Sequence, residues 1–309
     1  MKAVVMTGYG GPEMLELVER TILAPEADEV LIRVTACGVN PADGKWRQGM
    51  FAQVLPLSLP HVLGYDVAGT VESGGHMSTG TRVFAMLDNL KGGGYAEYAV
   101  APADSIARVP NGVDDVTAAA LPTAALTGLQ LIEEHVDPKA GDVVLVTGAL
   151  GAVGRFALHA AKARGARVVA GVRSAQVTQA LAIGADAAQV LGMPVAEGLR
   201  FDHIADTVGG HEVAALCHYA RVGARIRTVS TTPIVADGLP SVPVFIAVRI
   251  DACMLDRVAG LVASGRVTLP IARIMRFAEA SEAHRLLDSG STGGKIVLRP
   301  GNWDGPGLG

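Results

Sequence analysis

The sequence predicts an α/β protein of two domains, one β-rich and one built on a doubly wound parallel sheet. Three observations carry this. The chain has 309 residues, a length at which one hydrophobic core gives way to two. Up to about residue 110 it holds short apolar runs split by Gly, Pro and Asp, whereas after Pro122 apolar strands alternate with helical patterns. At one strand-to-helix junction stand Gly148, Gly151 and Gly154, spaced G-x-x-G-x-x-G.

The elements follow in order. KAVVMT, EVLIRVTA, VAGTVES and TRVFAML read as strands, with turns at Gly74-Gly75 and at Gly92-Gly93-Gly94. VVLVTG, ending in Gly148, is the first strand of the second domain. In the helix that follows, Leu150, Val153, Phe156, Ala157, Ala160 and Ala161 make one apolar face, with Arg155, His159 and Lys162 opposite. Gly165 closes that helix, and RVVAGV is the next strand. A helix through ALAIG, a short strand AAQVL and strands DHIADTV and ARIRTVS complete the alternation, which requires crossover helices. SVPVFIAVRID, at 241–251, reads as a long edge strand able to pair with its copy, so a homodimer through Val242 to Arg249 is expected. DACMLDRVAGLVASG and ASEAHRLLDSG, the latter opened by Ser281, are helices, and GGKIVLRP is a last strand. Residues 302–309, rich in Gly and Pro, read as a frayed tail.

Composition excludes several classes. Half the residues are hydrophobic, 18% are charged, and the net charge is -4, which suits neither nucleic acid nor an anionic membrane surface. The longest apolar runs are strand-sized, far short of a membrane span, and the N-terminus does not read as a secretory signal. Three scattered cysteines, Cys37, Cys217 and Cys253, argue against a disulfide framework and suit a reducing cytoplasm. No G-x-S-x-G occurs, so a hydrolase elbow is not indicated. His61 and His76 lie in loops without ligand-like neighbours, and Cys217-His218 reads as structural.

The glycine pattern has two readings, a plain turn or a phosphate cradle. Its context, after a strand and before a helix, favours a dinucleotide. Glycines let the backbone approach the diphosphate, and the helix N-terminus offers free N–H groups, here those of Ala152 and Val153. An NAD site places an acid near the end of the second strand, but no Asp or Glu lies between Gly165 and Gly184. Arg173 and Ser174 stand there instead. A guanidinium suits a 2′-phosphate, so the expected cofactor is NADPH; a surface arginine is the plainer reading.

Seven ordered segments, GVNPADGKWRQG (38–49), VLGYDVAGTV (62–71), GGYAEYAV (93–100), LPTAALTG (121–128), VTGALGAVG (146–154), DTVGG (206–210) and GGKIVL (293–298), make the chain similar to a known family. It resembles the zinc-independent quinone oxidoreductases of the medium-chain dehydrogenase/reductase superfamily, over nearly its whole length. The resemblance implies a GroES-like, β-barrel-type catalytic domain from 1–121 and 252–301. A Rossmann NADPH-binding domain, 122–251, is inserted in it, with the nicotinamide held between the two. The implied activity is NADPH-dependent reduction of a quinone, or of another conjugated carbonyl substrate; an enone or enoyl-thioester reductase and a low-turnover NADPH-binding sensor remain open.

The resemblance also assigns residues. The zinc ligands of zinc-dependent relatives would fall at Asn40, Tyr65 and Thr123, none of them a good zinc ligand. The lobe bearing four structural cysteines is missing, so no metal is expected. Cys37 reads as a buried wall residue. Asn40 is expected beside the nicotinamide, donating to a developing oxyanion. Asp43 is expected to fix the loop by local hydrogen bonds, and Arg47 to pair with an acid. Lys45 and Phe51 replace tyrosines common in bacterial members. Lys45 is open between a proton donor or anion anchor and a solvated loop lysine. Thr127 is expected at the nicotinamide carboxamide, and Gly192, Val208, Ser230 and Lys295 are further positions implied at the cofactor. Gln176 and Gly192 stand where relatives carry a phosphate-binding Lys and a Tyr, which leaves the 2′-phosphate to Arg173 and Ser174.

Overall fold

The computed structural model describes residues 1–301 apart from positions 76, 89, 92, 236 and 291. The turn glycine Gly92, the loop histidine His76 and the 302–309 tail therefore lie outside the described residues. The chain forms two compact units, Met1–Thr123 with the chain from Ile250 onward, and Ala124–Arg249. Among the described residues no helix is long and apolar enough to cross a membrane.

The first unit is built on strand Glu29–Val39, whose alternating and continuous burial reflects packing on both faces. It pairs antiparallel with Asp66–Gly74, with Tyr98–Pro102 and with Lys295–Arg299. Arg82–Met86 and Ile106–Arg108 extend the sheet on one side and Ile271–Arg276 on the other, to seven strands. A second sheet holds Leu15–Glu19, Lys2–Met6 and His61–Val62 in that order. Gly38 is required where helix Asp115–Ala120 crosses the long strand, because a Cβ there would overlap the Ala119 carbonyl oxygen.

Register puts three polar residues together in this unit. Gly38 pairs with Asp66 on one side and with Val297 on the other. Two steps along the second ladder, Lys295 reaches the end of the long strand, where Asn40 begins helix Pro41–Arg47. The last helix, Ala280–Asp288, starts one residue before Ser281, after a 3₁₀ turn at Phe277–Glu279.

The second unit is a six-stranded sheet, parallel throughout. Its order is Ala187–Val190, Arg167–Val172, Val143–Thr147, Phe201–Asp206, Ala220–Thr228 and Val244–Phe245. Leu145, Val169, Phe201, Ile204, Val213, Leu216 and Ile226 fill its core with the thiol of Cys217. Helix Ala152–Ala163 buries Phe156, Ala157, Ala160 and Ala161 as its periodicity predicts. Arg155, expected on the outer face, is buried too, its Nε donating to the Leu150 carbonyl at 3.0 Å.

The run at 241–251 is corrected. Only Val244–Phe245 is a strand, pairing with Arg227–Thr228 at the sheet edge. Pro243 has no N–H for a ladder. Farther on, the Gln130 side chain takes both backbone groups of Arg249, at 2.8 and 3.0 Å. A local amide thus satisfies the backbone that a continued strand would have paired.

Candidate functional site

In the first unit the site grows from the short helix Pro41–Arg47 and its cap. Asn40 ends the long strand in extended conformation, and its N–H donates to Asp43 Oδ2 at 2.8 Å. Asp43 is fully buried. Its Oδ2 also accepts from the Tyr95 hydroxyl at 3.1 Å, and its Oδ1 from Gly64 N–H at 3.2 Å. Asp43 therefore fixes the loop as expected, but it reaches two distant segments as well as its neighbour.

Behind Asp43 runs a chain of donors with a fixed direction. Arg47, with no exposed surface, donates from Nε to His284 Nδ1 at 3.1 Å. The proton of a neutral His284 then sits on Nε2, which lies 3.2 Å from the Tyr95 oxygen and donates to it. Tyr95 in turn donates to Asp43. Burial, then the charge of Arg47, holds His284 down to about 3, so the ring is neutral. Arg47 also donates to the Gly10 carbonyl at 2.6 Å and pairs with an acid, Asp288, at 2.5 Å.

The Asn40 side chain faces the other way. Its Nδ2 donates to Asp66 Oδ2 at 2.9 Å, and its Oδ1 accepts from Lys295 Nζ at 2.6 Å. Asp66, fully buried, takes Thr123 N–H at 2.9 Å and Thr123 Oγ1 at 2.6 Å on its other oxygen. It thereby caps the start of helix Pro122–Gln130. Lys295 Nζ stands 3.6 Å from Asp66. Lys295, implied at the cofactor, is thus placed with Asn40 inside this unit.

Lys45 is half-buried, and burial lowers its pKa. Phe51 packs on Trp46 with ring centroids 4.8 Å apart. Cys37 is buried, and burial pushes its thiol well up, so it stays protonated. The positions of the relatives' zinc ligands do not fit a zinc ion. Asn40 and Thr123 are turned to Asp66, and burial keeps the Tyr65 phenol protonated. Among the described residues no group of three or more His, Cys, Asp or Glu could hold a metal ion.

Asp43 makes a pH prediction. Burial lifts its carboxyl from an ordinary 3.8 to about 7, against the Asn40 N–H that favours the anion. Folded protein then binds the extra proton, so this contribution to stability is present at low pH and lost as pH rises through about 7. The melting temperature of D43N minus that of wild type is expected to climb with pH from about 4 to about 7. A flat difference over that window would mean an unshifted carboxyl.

In the second unit the glycine pattern forms a cradle. Gly148 has φ +61°, and a Cβ on it would strike the Thr207 hydroxyl. A Cβ on Gly154 would overlap the Gly148 carbonyl oxygen. Gly151 opens helix Ala152–Ala163 without a side-chain cap, leaving the N–H groups of Ala152 and Val153 to an outside acceptor. The loop lies at the carboxyl end of Val143–Thr147, inside the sheet, where parallel sheets take ligands. This geometry fits a dinucleotide diphosphate.

A buried carboxylate absent from the sequence-based expectations supports the cradle. Asp206 accepts from Thr147 Oγ1 and Thr228 Oγ1, each at 2.5 Å, and from Val208 and Gly209 N–H, each at 3.0 Å. It ties together three strand ends, and Ser230 Oγ closes on the Val208 carbonyl at 2.8 Å. It is the last residue of strand Phe201–Asp206, directly after the buried Ile204 and Ala205. Val208 and Ser230 are thus neighbours, and Val208 is exposed.

Arg173 and Ser174 are exposed at the end of Arg167–Val172, and the Arg173 N–H is held by Gln176 at 3.2 Å. Gly192 lies on a surface hollow with Met193, Glu212, His218 and Tyr219. Thr127 is buried in helix Pro122–Gln130.

Comparison with known proteins agrees with both halves. The family model described as an alcohol dehydrogenase GroES-like domain matches residues 26–111, and one described as a zinc-binding dehydrogenase matches 165–298. A chloroplastic quinone-oxidoreductase homolog of Spinacia oleracea is 35% identical over 208 residues, 64% of this chain and 63% of that one. A quinone oxidoreductase of Sus scrofa is 40% identical over 174 residues, 55% of this chain and 52% of that one. The matched stretch thus spans between half and two thirds of these relatives. The structure of the quinone oxidoreductase from Coxiella burnetii superposes with TM-score 0.87 at 29% identity, covering 97% of this chain and 99% of that one. With a GroES-like first unit, a parallel-sheet second unit and these likenesses, the chain belongs to the quinone-oxidoreductase-like family of the medium-chain dehydrogenase/reductase superfamily.

Proposed function

We propose that the chain is a zinc-independent oxidoreductase that passes a hydride from NADPH to a quinone. The observation that carries this is the cradle: two glycines that tolerate no Cβ, followed by an uncapped helix start. Bound there, the reduced nicotinamide supplies the hydride. Ala152 and Val153 hold the diphosphate. Arg173 and Ser174 bind the 2′-phosphate, in a stretch with no acid to prefer a free ribose hydroxyl. Thr127, Gly192, Val208 and Ser230 line the rest of the cofactor.

The quinone rests on the spinach, pig and Coxiella relatives, which bear that name. The polar cluster around Asn40 suits such chemistry, which needs a donor for developing negative charge and no nucleophile. The loop after the short helix favours a second reading, an enone or enoyl-thioester reductase. Met50, Val54, Leu55 and Leu59 are exposed on it and would suit an apolar chain.

Oxidation of NADPH and NADH, followed by absorbance with a panel of quinones and conjugated enones before and after a chelator, tests the reading. Chelator-resistant turnover of quinones favouring NADPH is expected. Turnover of enones alone would replace the substrate. Cofactor binding without turnover would make the chain a sensor.

The protein works as a homodimer through the edge at Val242–Arg249. Val242 is 80% exposed and Phe245 54% exposed beside an open strand. Light scattering at micromolar concentration should give twice the chain mass; a monomer would refute the pairing.

A further inference from the structure

Asp66 is already satisfied without a lysine. Its two oxygens accept from Asn40 Nδ2, Thr123 N–H and Thr123 Oγ1. Lys295 does not touch it within hydrogen-bond distance; the ammonium stands 3.6 Å away and spends its short bond, 2.6 Å, on Asn40 Oδ1. A lysine present only to neutralise a buried acid would be expected to bond that acid directly. Here the amide of Asn40 is clamped between the two charges and holds the ammonium at a fixed place.

An ammonium carries three N–H groups. One goes to Asn40, and one at most faces Asp66. Lys295 itself is buried, with 6% of its surface exposed. The positions where zinc-dependent relatives would ligate their cation, Asn40 and Thr123, are here bonded to the Lys295–Asp66 pair or its members. The chain carries its own cation at that place.

We propose that Lys295 is a catalytic residue, whose ammonium donates to the acceptor oxygen and stabilises the negative charge that hydride transfer puts there. The inference rests on the oxidoreductase reading above. Hydride transfer moves one hydrogen with two electrons to the acceptor. The acceptor is reduced, its carbonyl π pair shifts onto oxygen, and the nicotinamide is oxidised. The resulting anion takes its proton from water, and Lys295 keeps its own. Asp66 and Asn40 are positioning residues that balance and aim the charge.

The test compares wild type, K295M and D66N/K295M in kcat with NADPH and 1,4-naphthoquinone, in NADPH affinity by fluorescence, and in melting temperature. K295M is expected to lower kcat by about 10²–10³ with NADPH affinity changed by less than about threefold. The double variant removes the unbalanced acid, so it should recover the melting temperature and leave kcat low. Recovery of kcat by the double variant to within about threefold of wild type would reduce Lys295 to charge balance. A K295M that keeps its kcat but loses NADPH affinity by about tenfold or more would make it a cofactor ligand. A wild-type protein that turns over neither quinone nor enone would overturn the oxidoreductase reading itself, and the lysine's role with it. The first two failures need an active wild type, so they are distinct from the third.

Discussion

Replacing Gly154 by alanine is expected to weaken NADPH binding by about 100-fold, close to 3 kcal/mol. The added methyl would overlap the carbonyl oxygen of Gly148, a backbone atom that cannot rotate away. Gly148 is itself pinned, its N–H donating to Gly171 O at 2.8 Å and its Cα facing the Thr207 hydroxyl. The overlap must therefore be relieved by moving the first turn of the helix, which carries the free N–H groups. Gly151 provides the contrast. A Cβ there would lie 3.1 Å from the same oxygen, at an ordinary extended φ of −69°. Its alanine variant should lose about tenfold or less. Fluorescence titration with NADPH and a melting curve on each variant separate lost binding from lost folding. A G154A protein that melts and binds as wild type would remove the cofactor from this loop.

The second large effect is on stability. Arg47→Met is expected to destabilise the fold by about 2–4 kcal/mol, at about 1–3 kcal/mol for each buried group left without its hydrogen bond. The side chain has no exposed surface, and its guanidinium serves Gly10 O, His284 Nδ1 and Asp288 Oδ2 together. Methionine fills the space and supplies none of the donors. It leaves a buried imidazole nitrogen and a carbonyl unpaired, each a desolvated group. Lysine restores the charge but cannot fork to three acceptors, so R47K should recover only part of the loss. Urea unfolding measures this as a fall in midpoint at constant slope. A loss below about 1 kcal/mol would mean that the three bonds contribute little net energy.

These two variants also divide what was legible in the sequence. The cradle was legible because its signal is local: glycine spacing, a preceding apolar strand and a following helical face lie next to one another, from Val143 to Ala163. The partner of Arg47 was legible only as a kind, an acid. Asp288 is 241 positions away, and no periodicity links them. His284 and Tyr95, which give the chain of donors its direction, carried no sign of it. A histidine on a helix and a tyrosine after glycines read as ordinary surface or core.

Propensity misled at 241–251. Val, Phe and Ile favour a strand, but Pro243 limits it on one side and the Gln130 amide takes the backbone beyond it, which leaves two residues. Lys295 was placed by resemblance at the cofactor. The ladder that pairs Val297 with Gly38 and Ile296 with Val39 sets it beside Asn40, a contact that the spacing of the two residues does not show.

By itself, then, the sequence determined the fold class, the glycine cradle, the missing acid after the second strand and the poverty of metal ligands. All are properties of composition or of short spacing, where the chemistry of neighbours is enough. Tertiary structure alone decided the pairing of Asn40 with Asp66 and Lys295, the clamp on Asp43 and the hub at Asp206. Those contacts join strands and helices far apart in the chain. Each buried charge must find a partner, and sheet register settles which one it meets.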